Sequence, residues 1–398
     1  MCLKERKLVI LAHIYLDNAA TTPMHPDVIA AMMAQMQDDF GNASSTHYFG
    51  RTAHAALDKA RMQIAHALHT KADHIVFTGG ATESNNTAIM QVAAANRAYG
   101  THIITTAVEH LSVLEPMRAL AKQGFQVTYL PVNAQGEINL ADFDAALDDE
   151  TILVSVMYGN NEVGSQMPIA EIGERLRNHP ALFHVDATQA FGLIDINPEA
   201  LNIDLLSASA HKLNGPKGVG LMYRSDNVHI QPFLRGGEQE SKRRAGTENL
   251  PGIVGFGTAT ALLDEATKDA HQRAFAAFSA KITDALRDAG IEYHINGDLT
   301  RPRLQHVLNL WLPGASTYAM QTNLDLAGFA VSGGSACTAG SLEPSHVLTA
   351  MYGADSPRLS ESIRISYGAA TTMAEVEAFA AALIKVVQRL HDRAARRV

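Results

Sequence analysis

The stretch His74-Ile75-Val76-Phe77-Thr78-Gly79-Gly80-Ala81-Thr82-Glu83-Ser84 passes from a strand pattern through two glycines into a helical pattern. Glycines let backbone amides approach an anion, and the N-terminus of a helix offers N–H groups without intrahelical partners. Thr82 adds a hydroxyl to this turn. The stretch therefore predicts a phosphate-binding turn between a strand and a helix. The same residues also fit an ordinary helix start with Thr82 as the N-cap.

Strand and helix patterns alternate on both sides of this stretch. Beyond His74–Phe77, candidate strands lie at His102–Thr106, Gln126–Leu130, Ile152–Met157, Leu182–Val185, Leu205–Ala208 and Val219–Tyr223. Amphipathic helical patterns, among them 84–99 and 114–123, separate several of them. This alternation is typical of an α/β fold with a doubly wound, mostly parallel sheet that helices cover on both faces. Because residues 208–219 leave no room for a crossover helix, we expect one antiparallel strand.

The pattern changes near Thr258. An alanine-rich helix is predicted at Ala259–Ala289, followed by short strands near Tyr293, at Val307–Leu312 and at Ile363–Ser366, and by a final helix from Met373 to about His391. These elements predict a second, smaller α/β domain, which the N-terminal segment could join. We assign residues 22–260 to the large domain and residues 1–21 and 261–398 to the small one.

Composition limits the classes of function. The 398 residues suffice for two lobes, and 46% hydrophobic with 18% charged residues is ordinary for a globular enzyme. A net charge of −9 argues against a nucleic-acid ligand, and no apolar stretch is long enough to span a membrane. Residues 1–12 are predicted to lead into a first strand and not to form a signal peptide. Cys2 and Cys337 provide no disulfide framework, which fits a reducing cytoplasm.

Two chemically distinctive residues follow predicted strands. Lys212 comes after Leu205–Ala208, where burial would lower its pKa and favour imine formation with an aldehyde, although its stem could also simply reach the surface. Asp186 comes after Leu182–Val185, where it could hold a pyridine nitrogen protonated or merely cap a helix. The order of phosphate turn, carboxylate and lysine is more specific than any one of them. In doubly wound folds, clefts form at the carboxyl ends of the strands, where all three lie.

Cys337 lies in the run Val331-Ser332-Gly333-Gly334-Ser335-Ala336-Cys337-Thr338-Ala339-Gly340-Ser341. Glycine and serine favour a loop, so we expect an accessible and mobile thiol there and not a packed one. A reactive thiol together with a lysine suited to Schiff-base formation indicates sulfur chemistry.

These motifs resemble those of the cysteine desulfurases of the NifS/IscS group, which belong to the class V aminotransferase-like, fold-type I enzymes that use pyridoxal 5'-phosphate. The resemblance spans nearly the whole chain. It includes Tyr15-Leu16-Asp17-Asn18-Ala19-Ala20-Thr21-Thr22-Pro23, Gly80-Ala81-Thr82-Glu83-Ser84-Asn85-Asn86, Glu109-His110, Asn160-Asn161-Glu162-Val163-Gly164, His184-Val185-Asp186-Ala187-Thr188-Gln189-Ala190, His211-Lys212, Gly246-Thr247-Glu248-Asn249, Gly334-Ser335-Ala336-Cys337 and Ser362-Ile363-Arg364. It implies a seven-stranded large-domain sheet and a small domain that carries the Cys337 loop, at about 332–345.

The resemblance also implies a role for each matching residue. Lys212 would bind the cofactor covalently and take the substrate's α-proton, His110 would stack on the ring and assist proton transfer, and Cys337 would accept the sulfur. The phosphate would be held by Ala81, Thr82, Ser209, His211 and, from the second subunit of a homodimer, Thr247. Around the ring, Asp186 would pair with the nitrogen, Gln189 with the oxygen, and Asn161 would make a further contact. The substrate would be bound by Asn18, Asn161 and Arg364.

The implied reaction removes sulfur from L-cysteine and gives L-alanine and a persulfide on Cys337. The persulfide would pass to an iron–sulfur scaffold or another sulfur-acceptor protein, which the sequence does not name. No metal site is expected in this chain by itself, although Cys337 could share a nascent iron–sulfur cluster with a scaffold.

Other activities share parts of this pattern. A transaminase or a selenocysteine lyase would keep the fold; a transaminase needs no thiol such as Cys337, whereas the same pocket can accept selenium in place of sulfur. An idle scaffold for sulfur-transfer partners is disfavoured by the joint presence of Lys212, Asp186 and Cys337. A metal-dependent α/β protein is disfavoured because neither metalloprotease spacing nor paired cysteine ligands occur.

Overall fold

The computed structural model describes residues 13–333 and 344–395. The strands are β1 (Ile14–Tyr15), β2 (Ile75–Thr78), β3 (His102–Thr106), β4 (Gln126–Leu130), β5 (Thr151–Met157), β6 (Leu182–Asp186), β7 (Leu205–Ser209), β8 (Gly220–Arg224), β9 (His294–Ile295), β10 (Val307–Trp311), β11 (Phe329–Ala330) and β12 (Ser362–Ser366). The helices are α1 (Pro26–Asp38), α2 (Tyr48–Ala67), α3 (Ala81–Asn96), α4 (Leu111–Lys122), α5 (Leu140–Ala146), α6 (Ile169–Leu176), α7 (Gln239–Lys242), α8 (Leu250–Ala261), α9 (Glu265–Asp288), α10 (Thr317–Leu326), α11 (His346–Tyr352), α12 (Arg358–Glu361) and α13 (Met373–Ala395). Single 3-10 turns lie at Ala72–His74 and Ala210–Lys212.

Seven strands form the large sheet, in the order β2-β8-β7-β6-β5-β3-β4. The strands from β7 to β4 pair in parallel, and β8 is antiparallel to both of its neighbours. The expected antiparallel strand is thus confirmed, because the ten residues between β7 and β8 contain only a 3-10 turn and no crossover helix. Each predicted strand of this sheet lies within one residue of its expected bounds. The parallel strands all end at one edge, where the turn after β2, Asp186 and the turn before Lys212 also lie.

The central strands of the large sheet are buried on both faces. Every residue of β3, β5 and β7 is buried, and their apolar side chains pack against helices that include α2, α3 and α8. This explains why these segments appear in the sequence as short apolar runs instead of alternating ones. No helix in the two described ranges is long and apolar enough to cross a membrane.

The C-terminal third forms a separate apolar core around a three-stranded antiparallel sheet, β12-β10-β9. The N-terminal strand β1 pairs in parallel with β11, and Asp17 bridges Ser366 at the end of β12. Tyr367 is buried in this core, where its ring packs against Phe275 and Phe278. The N-terminal segment therefore reaches across to strands more than 300 residues away, and carries Asp17 and Asn18 with it.

The predicted single helix at Ala259–Ala289 is wrong. The chain forms two helices here, because α8 ends at Ala261 and α9 begins at Glu265. The break follows from Asp264, whose carboxylate accepts the backbone N–H of Thr267 at 2.8 Å and caps α9. An Asp at an N-cap stabilises a helix start by about 1 kcal/mol, which the alanine-rich pattern on either side of it conceals.

Candidate active site

A cavity of about 850 Å³ opens at the carboxyl ends of the parallel strands. Ten of the residues expected to act in catalysis or binding line it: Ala81, Thr82, His110, Asn161, Asp186, Gln189, Ser209, His211, Lys212 and Arg364. These residues are spread over nearly 300 positions of the sequence. The fold therefore brings together most of the set that the motifs identified.

The turn after β2 forms one wall of the cavity. Gly80 has φ +147°, a conformation that L-residues with a side chain rarely adopt, and α3 starts directly after it without a capping side chain. A side chain on Gly220 of the neighbouring β8 would come within 2.7 Å of the Gly80 backbone. The N-cap is thus Gly80, and the alternative of a helix capped by Thr82 is wrong. The backbone N–H groups at the start of α3 line the cavity and are available to an anion.

Two charged pairs fix the turn from outside. The carboxylate of Glu83 accepts the backbone N–H of Gly79 at 2.7 Å and pairs with Arg244 at 2.9 Å. Glu240 accepts the backbone N–H of Phe77 at 2.8 Å and pairs with Arg61 at 2.6 Å. Since β2 is an edge strand, the Arg61–Glu240 pair satisfies backbone groups that a further strand would otherwise bind.

Asp186 ends β6 and is nearly buried. One carboxylate oxygen accepts the side-chain amide of Asn85 at 2.8 Å, and the other accepts the backbone N–H of Thr188 at 2.9 Å. The residues after Asp186 form turns and not a helix, so the alternative of a helix cap is wrong. Two donors, one to each oxygen, fix the orientation of the carboxylate at the cavity wall, where it can face a ring nitrogen.

A hydrogen-bonded chain joins Asp186 to His110. Asn85 also donates to the hydroxyl of Ser112 at 2.8 Å, and that hydroxyl lies 2.8 Å from His110 Nδ1. The backbone N–H of Ser112 donates to the same Nδ1 at 3.1 Å. Because Nδ1 accepts hydrogen bonds, the imidazole carries its proton on Nε2. Sequence reasoning missed Asn85 and Ser112, and no clear local signal marks them, because α3 and α4 carry several other polar side chains.

Lys212 lies in the 3-10 turn that follows β7. Its Nζ donates to the backbone carbonyls of Ala19 at 2.6 Å and Ala20 at 2.9 Å. Next to it, burial and the positive charges of Lys212 and Lys217 lower the pKa of His211 to about 4. His211 is therefore neutral at physiological pH and can donate a hydrogen bond to a phosphate.

Arg364 on β12 faces the turn from the opposite side of the cavity and is 1% exposed. Its guanidinium pairs with Asp17 at 2.8 Å and donates to the backbone carbonyl of Asn161 at 2.9 Å. Its Nε is buried and has no hydrogen-bond partner within the described ranges. Its backbone exchanges hydrogen bonds with Ser332, the first residue of the predicted cysteine loop.

Two of the expected site residues do not line the cavity. Asn18 is buried, and its amide donates to the backbone carbonyls of Tyr15 at 3.3 Å and Ser366 at 3.0 Å. Thr247 is exposed on the segment that follows α7. The carboxylate-binding role implied for Asn18 thus has no direct counterpart here, because its amide joins the N-terminal segment to β12. A role for Thr247 requires a second copy of the chain.

Cys337 lies outside the described residues. Described residues on each side of the gap are attached close to the cavity wall. Ser332 pairs with Arg364, and beyond the gap the hydroxyl of Ser345 donates to Glu162 at 2.5 Å. The ring of His346 contacts the backbone carbonyl of Glu109 at 2.9 Å, next to His110. The segment that carries Cys337 therefore begins and ends beside residues that line the site.

Two buried titratable groups lie beneath the cavity, and sequence reasoning did not identify either as perturbed. Burial, assisted by the negative charge of Asp186, raises the pKa of Glu109 to about 8 despite hydrogen bonds from Met157 and Thr106. Burial lowers the pKa of His184 to about 4. Its ring joins the hydroxyls of Ser155 and Ser207 across three strands. Neither perturbation has a local signal, since each depends on complete burial in the folded sheet.

With this geometry established, comparisons with known proteins identify the family. A model of the aminotransferase class-V family matches residues 14–379. A Bacillus subtilis (strain 168) protein, provisionally named cysteine desulfurase IscS 1, is 51% identical over 96% of this chain and 100% of its own length. Cysteine desulfurase IscS of Methanosarcina thermophila is 42% identical over 95% of this chain and 93% of its own. The chain belongs to the class-V aminotransferase family, in its cysteine desulfurase group.

Solved structures agree with this assignment. A NifS-like protein superposes with a TM-score of 0.88 at 34% identity and covers 95% of this chain and 100% of its own. A structure titled SspA in complex with cysteine gives a TM-score of 0.77 at 34% identity and covers 88% and 98%. The α/β fold with its seven-stranded, mostly parallel sheet is thus confirmed as that of the cysteine desulfurase group.

Proposed function

We propose that this protein removes sulfur from L-cysteine, with pyridoxal 5'-phosphate bound through Lys212, and passes the sulfur to Cys337 while releasing L-alanine. The observation that carries the proposal is the meeting, in one cavity, of the Gly79–Gly80 turn, Asp186, Lys212 and Arg364. The similarity to SspA, a structure solved with cysteine, supports L-cysteine as the substrate.

The cavity fits pyridoxal 5'-phosphate in size and in the placement of its polar groups. Its volume of about 850 Å³ lies within the range of ligand pockets, about 300–1,000 Å³. Thr188 lines it, and the buried hydroxyl of this residue has no partner among the described residues. The amides at the start of α3, with Thr82, Ser209 and neutral His211, would hold the phosphate. Asp186 would hold the ring nitrogen and Gln189 the ring oxygen, with Asn161 beside the ring.

When bound, the cofactor supplies an electron sink for negative charge on the substrate's α-carbon. Lys212 Nζ, held at the cavity wall by two carbonyls, is the atom placed to take a proton from that carbon. His110 lines the cavity with its proton on Nε2, so it is placed to donate a hydrogen bond to the substrate. Arg364 offers a planar cation to the substrate carboxylate, and Asp17 keeps its plane fixed.

Cys337, as the thiolate, would attack the sulfur of bound cysteine. A sulfur–sulfur bond forms and the substrate's carbon–sulfur bond breaks, with its electron pair retained by the carbon, which takes a proton as alanine forms. No external oxidant is required, because one thiol and one cysteine give one persulfide and one alanine. The sulfur would then pass to an acceptor protein, an iron–sulfur scaffold or another sulfur carrier, in the reducing cytoplasm.

The direct test uses purified protein loaded with pyridoxal 5'-phosphate, L-cysteine and a thiol reductant. We expect alanine and sulfide in equal amounts, and Cys337→Ser should abolish both products while the yellow colour of the bound cofactor persists. 3-Mercaptopyruvate with no sulfide would contradict the proposal and indicate a transaminase, which exchanges the amino group and keeps the carbon–sulfur bond. D-cysteine serves as the matched control, since Arg364 and Lys212 fix only one hand of the substrate.

The homodimer and the role of Thr247 have a separate test. We expect Lys212→Ala and Thr247→Ala chains to be weakly active alone and to recover activity when they are unfolded, mixed and refolded together. A mixed dimer contains one site with Lys212 from one chain and Thr247 from the other. No recovery in dimers shown to be mixed would contradict a shared phosphate site.

A further inference from the structure

Gln189 lies at the floor of the cavity and has a partner on each side of its amide. The amide nitrogen donates to the backbone carbonyl of Ala19 at 3.0 Å, and the amide oxygen lies 3.0 Å from Nε2 of His306. A backbone carbonyl can only accept, so the amide group that faces Ala19 must be the nitrogen. The oxygen then faces His306, whose Nε2 must carry the proton. The contacts thus define both the amide orientation and the histidine tautomer.

We propose that His306 is a positioning residue, whose Nε2–H holds the Gln189 amide with its nitrogen toward the cofactor ring oxygen. The inference rests on the proposed function, since it assumes the bound cofactor that Gln189 would contact. His306 precedes β10, 117 residues from Gln189 in the sequence, and no motif identified it. Without this donor the amide could rotate and present its oxygen, which would repel an anionic ring oxygen.

The surroundings of His306 favour the neutral ring that this role needs. Its side chain is 5% exposed, and burial, with the positive charges of Arg364, Lys212 and Arg303, lowers the pKa of His306 to about 3. Its Nδ1 is buried without a partner in the described chain. His306 also lines a second cavity of about 30 Å³ behind Lys212, which has room for one water. The ring is therefore neutral, with its single proton directed at Gln189.

The link can be measured through the pH at which the bound cofactor's visible absorption changes. We expect His306→Leu to raise the midpoint by about one pH unit, the size expected when a hydrogen bond to a charged group is lost. Without that hydrogen bond the ring oxygen keeps more negative charge. This charge holds a nearby proton more tightly, so the proton is lost at a higher pH. His306→Gln, which restores a side-chain N–H donor, should return most of the shift.

Two controls separate positioning from a general loss of packing. His271→Leu changes the other histidine that lines the 30 Å³ cavity and has no contact with Gln189, so we expect no shift of the midpoint. In a Gln189→Leu background, His306→Leu should add nothing, because it acts through that amide. An equal shift from His271→Leu, a full shift in the Gln189→Leu background, or no shift from His306→Leu would each overturn the inference.

The tautomer can also be tested without cofactor or catalysis. We expect ¹⁵N spectra of histidine-labelled, cofactor-free protein to contain, beside the signals of His184 and His211, a neutral imidazole with its proton on Nε2 that does not titrate between about pH 5 and 8. This signal should vanish in His306→Gln. A titrating or Nδ1–H ring at this position would refute the inference even if the protein is an active desulfurase. Failure of cofactor to bind or of sulfide to form would instead refute the proposed function.

Discussion

The two sides of the cavity are constructed differently. The cofactor side, which comprises the Gly79–Gly80 turn, Asp186 and Lys212, rests on the ends of strands of one sheet, and its key groups are backbone amides, a carboxylate and a lysine amine. The substrate side centres on Arg364, a fully buried cation whose partners Asp17 and Asn161 are 347 and 203 residues away in the sequence.

This difference suggests that the two sides respond differently to mutation. Local changes on the cofactor side leave the sheet intact and should act on the cofactor alone. On the substrate side, removal of Asp17 would leave the buried Arg364 without its ion-pair partner, which costs about 3–5 kcal/mol in typical proteins. Variants on the two sides should therefore separate cofactor affinity from substrate affinity.

The largest effect is expected on the cofactor side, from Lys212→Ala. Loss of the amine removes the covalent attachment and the atom that takes the α-proton, so alanine formation should fall at least about a thousandfold. The matched control is Lys217→Ala, a second lysine of the cavity wall, which should keep most of the turnover. Lys212→Ala activity within tenfold of the wild type would contradict the assigned role.

On the substrate side, Arg364→Leu should lower kcat/KM for L-cysteine about a hundredfold, mainly through KM, because a charge-assisted contact to the carboxylate is lost. Cofactor affinity, measured by equilibrium titration, should stay within about threefold. Arg364→Lys retains the charge without the planar fork and should be intermediate. Equal losses of cofactor and substrate affinity would show that the two sides are not separable.

A smaller effect on the cofactor side is expected from Gly80→Ala. The φ of +147° strains any side chain at this position by about 1–3 kcal/mol, so cofactor affinity should fall about tenfold with little change in KM for cysteine. Gly79→Ala is the control, because its φ is not positive and its added carbon would meet a side-chain oxygen of Glu83 and no backbone atom. An equal loss of cofactor affinity in Gly80→Ala and Gly79→Ala would contradict the special role of the Gly80 backbone conformation.

The smallest effect is expected from Glu109, which is buried beneath the cavity, and it is measured as the free energy of unfolding. Because the pKa of Glu109 rises from its ordinary 4.5 to about 8, the folded state holds a proton that the unfolded chain releases between these values. Glu109 therefore contributes a fall in unfolding free energy as pH rises from about 4.5 to 8. Glu109→Gln should flatten that fall in urea titrations at pH 5, 6, 7 and 8, and an unchanged slope would contradict the buried proton.

The sheet was predictable because its strands are short apolar runs bounded by turn residues, and burial on both faces leaves few alternatives. The errors have local causes: Asp264 caps a helix within an alanine-rich run, and Gly80, not Thr82, caps α3. The contacts made by residues around the motifs were harder to predict from the sequence. Asn85 and Ser112 join Asp186 to His110 through side chains on two different helices, and a linear pattern does not show which buried polar groups meet.

The sequence by itself determined most of the succession of strands and helices along the chain, the one strand of the large sheet that runs antiparallel to its neighbours β7 and β2, and the reactive residue types at strand ends. These depend on local periodicity and turn chemistry, which act over a few residues. Only the tertiary structure decided that Arg364 pairs with Asp17, that Asn18 joins β1 to β12 and does not line the cavity, and that His306 supports Gln189. Such contacts depend on how two apolar cores pack against each other, and that packing brings together polar groups hundreds of residues apart.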